Sequence, residues 1–467
     1  MAQENQEKAQ RAVVVAVQLP SVNDVEFDAS VTELGQLAKT LGFEVVGTFT
    51  QKRNAFDQVA YLGAGKRQQL RRFVQNEADA ADPDPDGDAE GAGPETDAPV
   101  AAPTDPATWR AEVILVDHEI SPSQARNLEK EAGCEVMDRT MVILEIFHRH
   151  ARSRAARAQV EIVRLGYMAP RLREAAKIAG PQGRQRSGIG GRGAGESKGE
   201  LDRRKIRDRI AELQEELAAL DVERRTQRSR RQERAGLARV AFVGYTNAGK
   251  STLVRALTGS DVLVADKLFA TLDTTVRALQ PESVPRVLIS DTVGFIKNLP
   301  HGLVASFKST LDEALEAGLL AHVVDASDPA YERQLAVTET VLDEIGAGAV
   351  PRLLVFNKID RAAAAATLEA RLRERHPDCL VISARREADV QLLRERLVGF
   401  FRLDLVQQEI FLPWSAQQHR GEIYARCEVL HERSEAEGSY LDVRGEPEWL
   451  ARLQQLLDAR SPAEPGG

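Results

Sequence analysis

The run Gly244-Tyr-Thr-Asn-Ala-Gly249-Lys250-Ser251 constrains this chain more than any other feature, because it satisfies G-x-x-x-x-G-K-[ST] in full. An apolar β-run, residues 241–244, precedes it, and a helix-forming stretch, residues 251–257, follows. The glycines let backbone N–H groups converge on phosphate oxygens, and the next helix adds the positive end of its dipole. Tyr245, Thr246, Asn247 and Ala248 complete the cradle. Lys250 is expected to reach β- and γ-phosphates, and the Ser251 hydroxyl to ligate Mg²⁺. A strand–loop–helix of this kind needs an α/β sheet around it.

Two further motifs stand at the distances a nucleotide requires. Asp291-Thr292-Val293-Gly294 follows an apolar run, so Asp291 is expected in the Mg²⁺ shell and the Gly294 N–H at the γ-phosphate. Asn357-Lys358-Ile359-Asp360 follows the run LLVF. A carboxylate there accepts both the ring N–H and the amino protons of guanine, which adenine does not offer, so the motif selects GTP and GDP. Ser383 and Ala384 are expected to close the pocket over the base. Between the first two motifs lies Phe269-Ala270-Thr271-Leu272-Asp273, whose Thr271 is read as the magnesium-binding switch residue, with Thr274 and Thr275 as rivals. Lys250, Thr271 and Gly294 are therefore the catalytic candidates, and Ser251 and Thr271 the metal ligands. Where many GTPases carry a water-orienting Gln after the DxxG glycine, this chain has Phe295, which predicts slow intrinsic hydrolysis completed by a partner. Asn247 has two readings: it helps hold K⁺ against the phosphates, or it merely stabilises the loop.

Along the chain, apolar runs and helical spacing alternate to about residue 140, giving a small α/β domain, residues 1–140. It is interrupted at about 77–108 by a segment whose residues 77–105 hold ten acidic side chains and no basic one, read as disordered. Strands are expected at 13–17, 44–46 and 112–117, with helices over 31–41 and 66–75. Residues 63–66, GAGK, lack the full phosphate loop and read as a helix start. Residues 141–236 read as two long helices, the first over 140–178, joined by a Gly-rich loop at 180–199. Ile206, Ile210, Leu213, Leu217 and Leu220 form an apolar seam on the second helix, which predicts an antiparallel hairpin. Residues 237–403 are expected to be the P-loop domain, mostly parallel sheet with helices on both faces. The last 404–467 read as strand, helix, strand, helix, a small C-terminal α/β domain.

Charge qualifies this organisation. The chain carries a net −9, yet residues 149–239 hold 24 Arg and Lys against 12 Asp and Glu, a net of +12. A basic hairpin on an acidic protein is an electrostatic footprint for RNA; the competing reading is a dimerising coiled coil. Three dispersed cysteines exclude a disulfide framework, and His148 with His150 lack the further ligands a metal would need. No apolar run reaches membrane-span length and the polar N-terminus does not resemble a signal peptide, so a cytoplasmic chain with no membrane partner is expected.

The motifs GYTNAGKSTL, LFATLD, DTVGFI and NKID, with VMDRTMVILEIFHRHA, YMAPRL and GRGAGES…ELDRRKIR outside them, resemble the HflX family of ribosome-associated GTPases over nearly the whole chain. The resemblance implies an N-terminal α/β domain, a helical hairpin, a GTPase domain and a small C-terminal domain; a monomer is expected. It implies binding to the large ribosomal subunit and its rRNA, and separation of stalled or idle ribosomes. GTPases of ribosome assembly or tRNA modification are the alternative. Gly199 stands where many members carry an apolar residue, and Thr274 where proline is common.

Overall fold

The computed structural model describes residues 9–77, 110–178, 198–232, 238–259, 268–269, 275–297, 299 and 313–458. The acidic insertion, apart from Glu77, and most of the Gly-rich loop lie outside these residues. The chain divides into two units: residues 1–220 with 266–272 and 297–307, and residues 221–265, 273–296 and 308–467. The architecture is multidomain α/β.

In the first unit four parallel strands, β1 (Arg11–Gln18), β2 (Glu44–Lys52), β3 (Val113–Val116) and β4 (Glu135–Asp138), lie in the order β2-β1-β3-β4. β1 reads RAVVVAVQ and is buried along nearly its whole length, as a central parallel strand covered on both faces must be. Helix α1 (Asp24–Leu41) starts at Asn23, whose side chain accepts from the Glu26 N–H, and ends at Gly42. Helix α2 (Ala64–Val74) begins directly after Gly63, so GAGK is a helix start. Helix α3 (Pro122–Ala132) opens with a reciprocal cap between Ser121 and Gln124.

Three of the expected boundaries change, and α1 is the first, since it starts at Asp24 rather than near residue 31. β2 runs to Lys52 rather than ending near residue 46, pairing with β1 throughout; its polar Thr48, Thr50 and Gln51 suit an edge strand and hide the periodicity. The helix expected over 140–178 is two helices, α4 (Arg139–His150) and α5 (Arg154–Ile178). Ala151 leaves helical geometry at φ −64°, ψ 114°, and the Ser153 hydroxyl accepts from the Ala156 N–H at 3.2 Å, restarting the helix.

α5 and α6 (Lys198–Gln232) run antiparallel, since Arg154 pairs with Glu216 at 2.8 Å and Arg209 with Glu161 at 2.9 Å. The seam residues Ile206, Ile210, Leu213, Leu217 and Leu220 are the shielded positions of α6, with Leu213 fully buried. The foot of α5 is tied to α4 through Asp138. One carboxylate oxygen accepts from the Met141 N–H at 2.9 Å and caps α4. The other accepts from Arg171 at 2.6 Å and from the Tyr167 hydroxyl. Asp138→Asn keeps the cap but removes the charge facing Arg171, so a loss of about 2 kcal/mol is expected. Urea unfolding together with hydrogen exchange of α5 measures it, and unchanged α5 protection counts against the tie.

The second unit contains a six-stranded sheet, β5 (Ala238–Gly244), β6 (Thr275–Ala278), β7 (Val287–Asp291), β8 (Leu319–Asp325), β9 (Arg352–Asn357) and β10 (Leu380–Val381), in the order β10-β9-β8-β5-β7-β6. Only β6 is antiparallel to its neighbour. Helices α7 (Lys250–Thr258), α8 (Tyr331–Glu344), α9 (Ala365–Arg375) and α10 (Glu387–Arg402) connect the strands. Within β8, His322 is 2% exposed and its Nε2 has no partner among the described residues. Burial pushes its pKa from 6.5 down to about 3. The folded pKa lies below the unfolded one, so protons favour the unfolded chain as pH falls below 6.5. A loss of about 2 kcal/mol is expected at pH 5. His322→Leu should remove that part of the acid sensitivity, which urea titrations at pH 7 and pH 5 measure; an unchanged pH difference would refute it.

The C-terminal segment departs from the expected strand–helix–strand–helix. It has three antiparallel strands, β11 (Val406–Pro413), β12 (Glu428–Ser434) and β13 (Gly438–Gly445), in the order β11-β13-β12, with helices α11 (Arg420–Arg426) and α12 (Pro447–Asp458). The chain reverses between Glu435 and Gly438, making a hairpin of what reads as one strand. Among the described residues no helix is long and apolar enough to cross a membrane.

Candidate functional site

Parallel strands β5, β8 and β9 end side by side, and the loop after β5 lies along these ends. Gly249 sits at φ +98°, and a Cβ there would stand 2.2 Å from Asn357 Nδ2. Glycine is thus required both by the backbone and by the close approach of β9. Lys250, the first residue of α7, is buried and donates to the carbonyls of Gly244 at 3.0 Å and Tyr245 at 2.8 Å. Burial lowers its pKa to about 8, Asp291 opposes the shift, and Lys358 adds to it. A phosphate would supply the counter-charge this ammonium lacks.

The Ser251 hydroxyl donates to Asp291 Oδ2 at 2.7 Å. Two hard oxygens this close are suited to adjacent positions around Mg²⁺, which takes phosphate and water oxygens for the rest of its octahedron. The pair therefore fits the metal. Thr292 is pinned by donating to the Phe242 carbonyl at 2.7 Å. Val293 is buried, and a Cβ on Gly294 would stand 2.9 Å from both Lys250 Nζ and Thr246 Cα. Phe295 is buried, and its backbone bridges the loop: Thr246 N–H donates to its carbonyl at 2.7 Å and its own N–H donates to Gly244 at 3.1 Å. Phe295 thus clamps the two motifs together and offers no polar group to water.

The base side is wired to the phosphate side. Asn357 Nδ2 donates to the Ala248 carbonyl at 2.9 Å, while its Oδ1 accepts from the Ala384 N–H at 3.0 Å. Lys358, in a left-handed conformation at φ 62°, donates to the Asn247 carbonyl at 2.5 Å and to Asp325 Oδ2 at 2.8 Å. Ile359 packs into the core beside Phe356. Asp360 Oδ1 accepts from the Ser383 hydroxyl at 2.6 Å, the largest reason its carboxyl lies below the usual range. Ser383 is held in turn through its N–H, which donates to Asp389 Oδ2 at 2.7 Å from the first turn of α10. Asn247 is exposed at φ 57°, a conformation Asn tolerates.

The structure thus gathers Gly244 to Ser251, Asp291 to Gly294, Asn357 to Asp360, Ser383 and Ala384 around one loop. Phe269 belongs to the first unit. Ala270, Thr271, Leu272 and Asp273 lie outside the described residues. Asp325, Asp389 and Arg385, whose guanidinium lies 3.8 Å from Asp360 Oδ2, are supporting residues that sequence reasoning missed. A lone Asp closing the apolar run LLAHVVD is the one signal that could have flagged Asp325.

Three family models match in chain order. GTP-binding GTPase N-terminal covers residues 28–81 and 104–148, GTP-binding GTPase Middle Region covers 150–231, and 50S ribosome-binding GTPase covers 239–358. A GTPase HflX of Gluconacetobacter diazotrophicus is 53% identical over 459 residues, spanning 96% of this chain and 98% of its own. That of Caldanaerobacter subterraneus subsp. tengcongensis is 36% identical, spanning 96% and 94%. That of Escherichia coli K12 is 35% identical, spanning 92% of each.

Proposed function

Since the chain belongs to the HflX family of GTPases, we propose that GTP binding and hydrolysis at this site control its grip on the large ribosomal subunit, so that stalled or idle ribosomes are separated. The observation that carries the nucleotide part of this reading is the bond pair Asn357–Ala248 and Lys358–Asn247, which joins the guanine-reading motif to the phosphate loop, and the match to 50S ribosome-binding GTPase supports the ribosomal part. One nucleotide spanning both is the simplest ligand for such a pocket.

In this reading Mg²⁺ is held by Ser251 and Thr271, with Asp291 steadying its shell, and Lys250 and the Gly294 N–H stabilise charge on the γ-phosphate. K⁺ beside Asn247 is a second candidate cation, tested by comparing hydrolysis in potassium and sodium buffers. The buried Phe295 offers the attacking water no side-chain partner at the position after Gly294, which favours slow intrinsic turnover raised by the ribosome. The basic hairpin, residues 149–239 with a net +12, would meet rRNA phosphates, and the protein would act in the cytoplasm as a monomer of four domains.

Cosedimentation with large subunits tests this in a non-hydrolysable GTP analogue, in GDP and without nucleotide. Tight binding is expected with the analogue alone. An Arg203→Ala, Arg204→Ala, Arg207→Ala variant should weaken it and flatten its salt dependence by roughly one unit of log–log slope per lost phosphate contact. Binding indifferent to nucleotide, or a variant binding like the parent at every salt, would sink the proposal.

A further inference from the structure

β8 and β9 run parallel to a last pair, Asp325 beside Asn357. The Ala326 N–H carries the pairing on by donating to the Asn357 carbonyl at 2.8 Å. This register fixes where the Asp325 carboxylate stands relative to the next residue of β9's end, Lys358. Lys358 adopts φ 62°, and its ammonium comes back across the strand ends to reach Asp325 Oδ2 at 2.8 Å. The other carboxylate oxygen is already taken: Oδ1 accepts from the Ser327 N–H at 3.0 Å and from the Ser327 hydroxyl at 2.6 Å. One oxygen thus anchors the side chain in a tight turn, and the other is presented to Lys358.

The ammonium passes this hold on to the phosphate loop, because it also donates to the Asn247 carbonyl at 2.5 Å. Asn247 is at φ 57° and Gly249 at φ +98°, so two left-handed residues flank Ala248. A non-glycine residue keeps that conformation only where its surroundings over-determine it. The Asn247 side chain is exposed, and its backbone is gripped through the Lys358 bond. The side chains of Lys358 and Asp325 are only 13% and 16% exposed, so salt screens this pair far less than a surface bridge.

We infer that Asp325 is a positioning residue for nucleotide binding: through Lys358 it holds the Asn247 peptide in the shape that receives phosphate. The inference rests on the nucleotide-site reading above. Lys358 belongs to the guanine-reading motif and Asn247 to the phosphate loop, so a carboxylate outside both motifs sets how each is presented. Without that carboxylate the ammonium keeps one acceptor and a wider choice of positions, and part of the binding free energy goes into ordering the loop. GDP and GTP share the β-phosphate that the loop cradles, so both weaken alike.

The test titrates the full chain with fluorescent GDP and a fluorescent GTP analogue. Asp325→Asn keeps an oxygen for Ser327 but turns an uncharged NH₂ toward Lys358, and both dissociation constants should rise about tenfold. Asp325→Ala, which also loses the turn, should melt at a lower temperature than Asp325→Asn, with the same rise in the constants. Lys358→Met should weaken binding at least as much, and adding Asp325→Asn to it should change the constants by less than about twofold. Losses that multiply in the double variant would overturn the inference, as would affinity that follows melting temperature across the set. Parental affinity in Asp325→Asn would overturn it too, with the nucleotide site left standing. A parent that binds neither nucleotide overturns both readings.

Discussion

Replacing Asp360 by Asn is expected to weaken GDP and GTP binding by roughly 100-fold, about 3 kcal/mol, while leaving the fold intact. The carboxylate is an acceptor at both oxygens, already steadied at Oδ1 by the Ser383 hydroxyl. Guanine presents two adjacent donors, its ring N–H and its amino group. Hydrogen bonds to a charged partner contribute about 1.5–3 kcal/mol each, so a pair accounts for most of the base selectivity. Asn offers one acceptor and one NH₂, which faces a donor on guanine. Xanthine carries a carbonyl where guanine carries the amino group, so the same variant should gain affinity for xanthosine diphosphate. Isothermal titration with both diphosphates measures the exchange. GDP affinity retained within threefold would remove Asp360 from the base site and, with it, the basis for calling this site guanine-selective.

Arg139→Ala should cost about 3–5 kcal/mol in the first unit. Arg139 is 1% exposed and donates to Asp117 Oδ1 at 2.7 Å and to a Glu33 oxygen. Asp117 is itself buried, with Oδ2 accepting from the Ser30 hydroxyl at 2.8 Å. Removing the guanidinium strands the buried Asp117 carboxylate and the partly buried Glu33, and that uncompensated charge is the main penalty. A domain is typically stable by only about 5–15 kcal/mol, so the variant should unfold at markedly lower urea. Arg139→Met combined with Asp117→Asn and Glu33→Gln should recover part of the loss, because none of the three positions then carries a charge. Urea unfolding followed by circular dichroism separates the cases. A single variant losing less than about 1 kcal/mol would mean the network is solvated in practice.

These two arginine and aspartate positions differ in how far the sequence reveals them. Asp360 is legible because a nucleotide forces fixed residue types at fixed places after apolar strands, and the same holds for Lys250, Ser251 and Asp291. Arg139 stands out only as part of a run, VMDRT, with nothing to say that Asp117 and Glu33 would meet it. Asp325 was hidden for a related reason: its partner Lys358 comes from the neighbouring strand end, which local pattern does not encode, whereas Asp389 meets the Ser383 N–H six residues away, a contact its residue type does not mark. The fold shows the same division. β1 announces itself as an unbroken apolar run, whereas β2 is an edge strand whose polar half carries no such signal. The break at residues 151–153 depends on one Ser153 hydroxyl, and the extra C-terminal strand on a turn at residues 435–438.

The wiring of Lys358 and Asn357 into the phosphate loop has a kinetic side. The loop's carbonyls at Asn247 and Ala248 are gripped from the neighbouring strand end by side chains of the protein itself. A loop braced by the protein's own bonds spends little of a nucleotide's affinity on its ordering. The expected result is unaided turnover of diphosphate for triphosphate, with occupancy following the surrounding ratio of the two. Stopped-flow displacement that proves slow until an exchange protein is added would contradict it.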